Sequence, residues 1–259
     1  MKALIVVSFG TSVPNARIMI QNVESTLKES FPDRDFYRAF TSRIICKKLK
    51  SQGENISSME ELLLILKGKG YDDILVQPTH IISGYEYEKV LAAISEVKDD
   101  FCKIAVGKPL INSTEDLIAV TDIVAKAWMP DQGCLVLMGH GSSHSNNMIY
   151  SAAQTAALLK YNKKLFIGTV EGWPELKDVM EFLPRESVKE VTIAPFMLAA
   201  GDHALNDMAG DSEDSWKKQL ESAGYKVNCI LDGLGSIPAI WKMYIVKARQ
   251  SLANKNHNL

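Results

Sequence analysis

Short apolar runs alternate with longer amphipathic stretches along the whole chain. Several of the runs are apolar without alternation, which is typical of strands that are covered on both faces. This order predicts βα units around mainly parallel sheets. The predicted strands cover residues 3–8, 35–40, 73–78 and 103–107 in the first half, and 134–139, 164–170, 190–195 and 226–231 in the second.

Apolar residues between these strands recur at helical spacing. The spacing predicts one helix after the first strand of each half. The apolar positions are Ala16, Met19, Ile20, Val23 and Leu27 in the first half and Met148, Ala152, Ala156 and Leu159 in the second.

The chain also repeats itself. L-I-V-V-S-F-G-T-S at 4–12 matches L-V-L-M-G-H-G-S-S at 135–143, so that Phe9 corresponds to His140. A second pair of segments agrees with the first. V-Q-P-T-H-I-I-S-G-Y-E and I-A-P-F-M-L-A-A-G-D-H share their Pro-to-Gly spacing and pair Glu86 with His203.

Two copies of one unit indicate two similar α/β lobes. We predict Rossmann-like or flavodoxin-like lobes with parallel sheets, related by a pseudo-two-fold axis. A turn-forming stretch near Met129-Pro-Asp-Gln-Gly133 places the join, so the expected lobes are 1–128 and 129–259. Because the polar residues at the strand tips differ, we expect a cleft whose ligands come mostly from the second lobe.

Charge and cysteine content limit the classes of partner that the protein can have. The chain has 29 basic and 31 acidic residues and no Lys/Arg block, so nothing marks a nucleic-acid or anionic-membrane surface. No run approaches the roughly 20 apolar residues of a membrane span. The four cysteines are scattered without C-x-x-C spacing, which indicates reduced core thiols and a cytoplasmic protein. Small molecules are therefore the expected partners.

Three residues of metal-ligand type follow successive strands of the second half. His140, Glu171 and His203 each come after a predicted strand end. Ligands in open parallel sheets bind beyond the carboxyl ends of the strands, where the loops converge. Two imidazoles and one carboxylate are the ligand set of an open catalytic divalent-metal site. Taken singly, either histidine could instead cap the helix that follows it.

Other polar residues have weaker interpretations. His144 falls at the first turn of a helix, where it could help to bind an anion or face solvent, and His80 is expected to be a hydrogen-bonded core histidine. The turns S-F-G-T-S and G-H-G-S-S could hold carboxylates or phosphates, but neither is a dinucleotide or P-loop motif. Glu86 and Glu88 cannot share one helix face, so one is expected to reach the cleft.

The assembled motifs resemble the anaerobic sirohydrochlorin cobaltochelatase family of cobalamin biosynthesis, within the ATP-independent chelatases that include ferrochelatase. The resemblance runs almost end to end. It is carried by V-V-S-F-G-T-S (6–12), R-A-F-T-S (38–42), H-I-I-S-G-Y-E-Y-E-K (80–89), M-G-H-G-S-S-H (138–144), V-E-G-W-P-E (170–175), A-G-D-H-A-L-N-D-M-A (200–209) and D-S-W-K (214–217).

The resemblance implies ATP-independent insertion of Co2+ into sirohydrochlorin, with the metal as a substrate and no nucleotide. It implies that His140, Glu171 and His203 bind the metal and that Glu86 lies on the facing side of the cleft. From the chemistry of these groups we expect His140, His203 and Glu86 to take part in catalysis. Imidazole ligands also predict that Fe2+ or Ni2+ can substitute for Co2+. The partners are a tetrapyrrole and a divalent metal, and a homo-oligomer remains open. The expected substrate contacts are Ser8, Phe9, Gly10, Thr11, Ser12, Phe40, Glu88 and Trp173.

Other functions stay open on the sequence. A ferrochelatase or nickel chelatase acting on a related tetrapyrrole would use the same residues. A non-catalytic tetrapyrrole- or metal-binding protein would use the same cleft without turnover. A phosphoryl or nucleotide enzyme on a similar α/β frame is disfavoured by the lack of a phosphate-loop motif.

Overall fold

A computed structural model describes residues 1–183 and 188–253, which divide into two compact units. Unit 1 comprises Met1–Asn112 and the C-terminal segment that begins at Pro238, and unit 2 comprises Ser113–Ile237. Each unit contains one four-stranded parallel sheet with flanking helices. The predicted α/β class with two similar lobes is confirmed.

Unit 1 is built on a sheet of strand order β2-β1-β3-β4. Its strands are β1 (Lys2–Ser8), β2 (Asp35–Phe40), β3 (Asp73–Pro78) and β4 (Lys103–Val106). Its helices are α1 (Pro14–Ser30), α2 (Arg43–Ser51), α3 (Met59–Gly68), α4 (Tyr85–Val97) and the C-terminal α9 (Pro238–Ala253).

Unit 2 repeats this topology with the order β6-β5-β7-β8. Its strands are β5 (Cys134–Gly139), β6 (Leu165–Thr169), β7 (Glu190–Pro195) and β8 (Lys226–Cys229). Its helices are α5 (Thr114–Trp128), α6 (Met148–Lys160), α7 (Leu176–Phe182) and α8 (Trp216–Ser222).

The eight predicted strands are all present, and their ends differ from the prediction by at most two residues. The central strands are the most apolar, and the side chains of β5 are buried along its whole length. Helices cover both faces of such strands, so burial rather than alternation is the signal that identifies them.

The two predicted helices are also present, but only one has the predicted buried face. In α1, Ala16, Met19 and Leu27 are buried as expected, and the helix begins at Pro14, whose fixed φ suits a first turn. In α6, Met148 and Leu159 are exposed. The buried positions of α6 are instead Tyr150, Ala153, Gln154 and Ala157.

The reason is that a polar residue occupies the inner face of α6. The side-chain oxygen of Gln154 accepts a hydrogen bond from the backbone N–H of Ile167 in β6. Tyr150 lies against Gly139, where an added Cβ would approach a Tyr150 ring carbon to 2.4 Å. A pattern based on apolar spacing alone therefore assigns the wrong face.

The two units exchange helices relative to the predicted lobes. The expected lobes were 1–128 and 129–259, whereas α5 belongs to unit 2 and α9 to unit 1. Asp122 of α5 contacts both Lys160 and Tyr161 at the end of α6. In α9, the Tyr244 hydroxyl donates a 2.7 Å hydrogen bond to the Thr79 carbonyl beyond β3. Tertiary packing, rather than chain order, decides where each helix belongs.

The structure also bears on the expected lack of a membrane span and on the four cysteines. In the described residues, no helix combines the length and hydropathy needed to cross a membrane. All four cysteines are free, but the expectation of core thiols holds fully only for Cys134, because Cys46 and Cys229 are half-buried and Cys102 is exposed.

Candidate metal centre

Three residues of unit 2 converge on one point. His140, Glu171 and His203 each offer a ligand atom, and the three atoms lie within 4.8 Å of one another. The two imidazole rings meet edge to face with their centroids 4.6 Å apart. Among the described residues this is the one group of three or more His, Cys, Asp or Glu side chains with metal-ligand spacing. The sequence prediction that these residues come together is thus correct.

Strand register places the three side chains. His140 directly follows β5, and Glu171 lies two residues beyond β6, the neighbour of β5. The backbone N–H of Glu171 donates a 2.8 Å hydrogen bond to the His140 carbonyl, so the parallel pairing continues past the strand ends. His203 follows β7 on the other side of β5 and immediately precedes the π-helical turn Ala204–Met208.

The loops after β5 and β6 approach each other closely. Gly141 has φ +80°, a conformation that favours glycine, and an added Cβ there would lie 2.6 Å from the Gly172 nitrogen. A side chain at Gly141 would therefore separate the loops that carry His140 and Glu171.

Hydrogen bonds fix the tautomers of both histidines. Nδ1 of His140 lies 2.9 Å from the Gly141 carbonyl oxygen, which can only accept, so Nδ1 carries the proton. Nδ1 of His203 lies 2.6 Å from Oδ2 of Asp207. A proton on Nδ1 leaves the Nε2 lone pair of each ring available to a metal, the arrangement found around metal-binding histidines.

The donor set suits an ion that enters and leaves. The side chains of His140, Glu171 and His203 are 39%, 55% and 34% exposed, so an ion there remains open to solvent and to a second ligand. Structural zinc sites normally use four protein ligands, whereas three ligands leave coordination positions for a substrate.

Unit 1 carries a counterpart of this site. Ser8 pairs with Phe40 in the first sheet as Gly139 pairs with Thr169 in the second, so Phe9 and Ser42 correspond to His140 and Glu171. Phe9, Ser42 and Glu86, the last being the repeat partner of His203, line one cavity of about 460 Å3. The remaining residues that line this cavity are Thr41, Arg43, Ile44, Met59, Glu60 and Lys89.

Glu86 is a half-buried carboxylate of this cavity that lies beside Lys89 and Thr41. Burial opposes its ionisation, but the Lys89 ammonium and the Thr41 hydroxyl outweigh burial, so the pKa of Glu86 is lowered. Oε1 accepts a hydrogen bond from Lys89, and Oε2 is buried. Glu86 is half-buried and Glu88 is exposed, and the expectation that one of them reaches the cleft stays a prediction.

The other two described histidines differ from each other. The His144 Nδ1 accepts a 3.0 Å hydrogen bond from the Asn146 N–H and so caps the short turn before α6. His80 was expected to be hydrogen-bonded, but both of its ring nitrogens are buried and have no partner in residues 1–183 and 188–253. Burial lowers the pKa of His80 to about 4, which keeps its ring neutral.

Several predicted substrate contacts are not available to a ligand. Phe40 is fully buried and lies under Gly10, so it cannot form a wall of a binding site. Ser8 is buried, and its hydroxyl accepts a 2.7 Å hydrogen bond from Thr79. The Thr11 hydroxyl, also buried, accepts from the Val13 N–H. These three side chains stabilise the loop after β1 and the core beneath it.

The remaining predicted contacts are accessible or half-buried. Phe9 and Trp173 are 46% and 59% exposed, which is unusual for aromatic side chains. Gly10 and Ser12 are half-buried, and the Ser12 hydroxyl has no hydrogen-bond partner among the described residues.

The sequence analysis missed three residues that contact the predicted ones. Asp207 was detectable, because it lies four positions after His203 and residues at that spacing share a helix face. Lys89 could have been found from its i,i+3 spacing to Glu86. Asn147 gives no comparable signal, since its contacts are to backbone atoms of two loops.

An open triad of two imidazoles and one carboxylate, at the carboxyl ends of a parallel sheet, defines a metal-handling α/β protein. The model of the cobalt chelatase (CbiK) family matches residues 2–253, so the chain belongs to this family.

Curated relatives agree with this assignment. A protein named sirohydrochlorin cobaltochelatase from Salmonella typhimurium is 38% identical over 97% of this chain and 96% of its own length. Another, named sirohydrochlorin cobaltochelatase CbiKC, from Nitratidesulfovibrio vulgaris, is 28% identical over 97% of this chain and 92% of its own.

The structures of SirB from Bacillus subtilis share the fold. The form described with Fe3+ has a TM-score of 0.61 at 16% identity and covers 98% of this chain and 96% of its own. The sirohydrochlorin chelatase SirB from Bacillus subtilis subspecies spizizenii in complex with cobalt has a TM-score of 0.60 at 14% identity, with the same coverage. At these identities the likeness establishes the fold alone.

Proposed function

We propose that this protein inserts Co2+ into sirohydrochlorin, or into its precorrin-2 form, as a metal chelatase of anaerobic cobalamin biosynthesis. The observation that carries the proposal is the convergence of His140, Glu171 and His203 within 4.8 Å in a chain of the cobalt chelatase family. Two relatives named sirohydrochlorin cobaltochelatase align with nearly the whole chain, which supports the choice of substrate.

The triad suits the chemistry of insertion. The tetrapyrrole gives up two N–H protons and gains one divalent ion, so the reaction needs a site that releases the metal and bases that take the protons. Three protein ligands bind the ion while leaving positions for water or a pyrrole nitrogen. A neutral imidazole that has released its metal can also accept a proton. His140 and His203 are therefore proposed to act in both steps.

Glu86 is proposed to assist proton removal or metal delivery. Its carboxylate is ionised and half-buried in the lining of the cavity of unit 1. Its repeat partner in unit 2 is the metal-ligand candidate His203. An ionised carboxylate is a suitable group to receive a pyrrole proton.

The exposed aromatic faces of Phe9 and Trp173 are the proposed apolar contacts for the flat macrocycle. Gly10 and Ser12, in the turn after β1, are proposed to contact the carboxylates of the macrocycle. The exposed Glu88 is proposed to contact a solvent-facing edge of the macrocycle. We also propose a cytoplasmic location, because the cysteines are scattered without C-x-x-C spacing. The oligomeric state is not part of the proposal.

An insertion assay without ATP tests the proposal. Purified protein, sirohydrochlorin and one metal at a time (Co2+, Fe2+, Ni2+ or Mg2+) are followed by the change in tetrapyrrole absorption. We expect multiple turnovers with Co2+, turnover with Fe2+ and Ni2+ as substitutes, and none with Mg2+, which prefers oxygen ligands and dehydrates reluctantly.

Three outcomes of this assay would contradict the proposal. A requirement for ATP would indicate a different class of enzyme. Conversion that stops at one equivalent per protein would indicate a binding protein. Efficient Mg2+ insertion would show that the imidazole ligands do not select the ion.

A further inference from the structure

The loops that carry His140 and Glu171 are joined by a side chain that belongs to neither. Oδ1 of Asn147 accepts a 2.9 Å hydrogen bond from the Ser142 N–H, in the loop after β5. Nδ2 of Asn147 donates a 2.8 Å hydrogen bond to the Trp173 carbonyl, in the loop after β6. The amide group thus uses one oxygen and one nitrogen to link both loops, a contact that we call the Asn147 bridge.

Helix capping does not explain this side chain. Asn147 stands at the N-cap of α6, where an Asn side chain commonly accepts a hydrogen bond from the first turn of its own helix. Here it makes no such bond. Its amide is directed at the two loops instead, at the expense of the helix end that it could have capped.

Gly172 provides the space for the bridge. A Cβ at Gly172 would lie 2.5 Å from Oδ1 and 3.0 Å from Nδ2 of Asn147, and its three nearest atoms are all in that side chain. Gly172 lies outside the positive-φ region, so its backbone does not require glycine. The residue next to Glu171 is therefore small because the amide of Asn147 occupies the volume beside it.

We propose that Asn147 is a positioning residue for the metal centre, which sets the separation of His140 and Glu171 by linking Ser142 to Trp173. The inference rests on the proposed metal role of the triad. Contacts that orient metal ligands change metal affinity by roughly 10- to 100-fold when they are removed, although they do not touch the ion. Asn147 acts here through the backbone that carries the ligands rather than through a ligand side chain.

The test is direct Co2+ binding to the full-length protein, measured by the absorption of the bound ion during titration. Asn147→Ala removes both hydrogen bonds and is expected to weaken Co2+ binding about tenfold or more. Gly172→Ala should weaken binding as well, because its methyl group displaces the Asn147 amide. Asn228→Ala, an Asn exposed on β8, is the matched control and should bind Co2+ like the parent.

The double variant distinguishes the bridge from general damage to the loops. In the absence of the Asn147 amide, the methyl group that Gly172→Ala introduces displaces nothing. Asn147→Ala/Gly172→Ala should therefore bind Co2+ no more weakly than Asn147→Ala alone. Two independent losses that multiply, or single variants that bind like the parent, would overturn the inference. Thermal unfolding midpoints and the Co2+ absorption band shape establish that each variant is folded and report any change in coordination.

Asn147→Asp is the second variant if the alanine protein does not fold. It keeps the shape and the acceptor for the Ser142 N–H but places a carboxylate oxygen against the Trp173 carbonyl, so Co2+ binding should again weaken. Unchanged binding by folded Asn147→Asp would overturn the inference. Failure of the parent protein to bind Co2+ would instead contradict the proposed function itself, so the two failures are distinguishable.

Discussion

Nδ1 of His203 lies 2.6 Å from Oδ2 of Asp207, one helical turn further along the chain. The carboxylate holds the proton of the ring on Nδ1 and orients the ring, so that Nε2 is directed away from Asp207 and is available as a metal ligand. If His203 binds the metal as proposed, we expect Asp207 to support it without touching the ion.

Replacement of Asp207 should weaken metal binding without unfolding the protein. We expect Asp207→Ala to lower Co2+ affinity by about 10- to 100-fold, because the His203 ring loses its fixed tautomer and orientation. Asp207→Asn, which can still accept from Nδ1–H, should have a smaller effect. Co2+ titration is the measurement, with Asp211→Asn as the control at a side chain that is 96% exposed. Equal affinities for Asp207→Ala and the parent would contradict the role.

His140 and His203 should each be required for insertion. Each alanine variant should lose about 100-fold or more in turnover, because it lacks a ligand and a proton acceptor. The fold should survive, since neither side chain is part of the buried core. The tetrapyrrole absorption assay measures the loss, and far-ultraviolet circular dichroism checks the fold.

His144→Ala is the matched histidine control. Its ring caps a turn through the Asn146 N–H, so its loss should cost about 1 kcal/mol of stability and little turnover. Activity of His140→Ala or His203→Ala within about threefold of the parent, a barrier change below ~1 kcal/mol, would count against the triad.

Glu86 and Glu88 should separate in function. Glu86→Gln removes a half-buried carboxylate from the cavity of unit 1 and should lower turnover more than macrocycle affinity. Glu88→Gln changes an exposed residue two positions away, proposed only as an edge contact, and should lower turnover less than Glu86→Gln. Steady-state turnover and tetrapyrrole binding are measured for both. If both variants match the parent, the pair is solvated surface.

Lys89 links this prediction to pH. The ammonium of Lys89 helps to lower the pKa of Glu86, so Lys89→Met should raise that pKa. A base with a raised pKa is protonated at higher pH, and the acid limb of the activity profile should therefore move to higher pH in Lys89→Met. Lys89→Arg should restore the parental profile. An acid limb that does not move in Lys89→Met would show that Glu86 is not the group whose protonation limits the rate.

His80 should make the protein sensitive to acid. Its pKa falls from 6.5 to about 4 on folding, so below about pH 6.5 the unfolded state binds a proton that the folded state does not. Stability should be lost as pH falls through this window, by about 2 kcal/mol between roughly pH 6.5 and 5. In His80→Leu this part of the loss should be absent. Urea unfolding of both proteins at several pH values measures it, and a pH-independent difference between them would contradict the assignment.

Strand prediction rested on apolar runs, which are least interrupted in the central strands β1 and β5. The triad was predictable for a related reason, since His140 directly follows β5 and Glu171 lies two residues beyond β6. The inner face of α6 was not, because the buried Gln154 bonds to the backbone of β6 and breaks the apolar pattern. Phe40 was assigned to the substrate although it is the last core residue of β2, and only the packing of Gly10 over its ring reveals this.

The placement of α9 in unit 1 gives the two halves of the chain unequal histories during synthesis. All residues of unit 2 have been made before Pro238 appears, whereas the sheet of unit 1 lacks its last helix until the ribosome has passed α9. Tyr244, the largest fully buried side chain, and its hydrogen bond to Thr79 arrive only then. Unit 1, whose first residues are translated first, is therefore the last unit to have all its residues. A nonsense mutation just before Pro238 would remove α9 from unit 1 and leave the sequence of unit 2, with its metal-ligand candidates, intact.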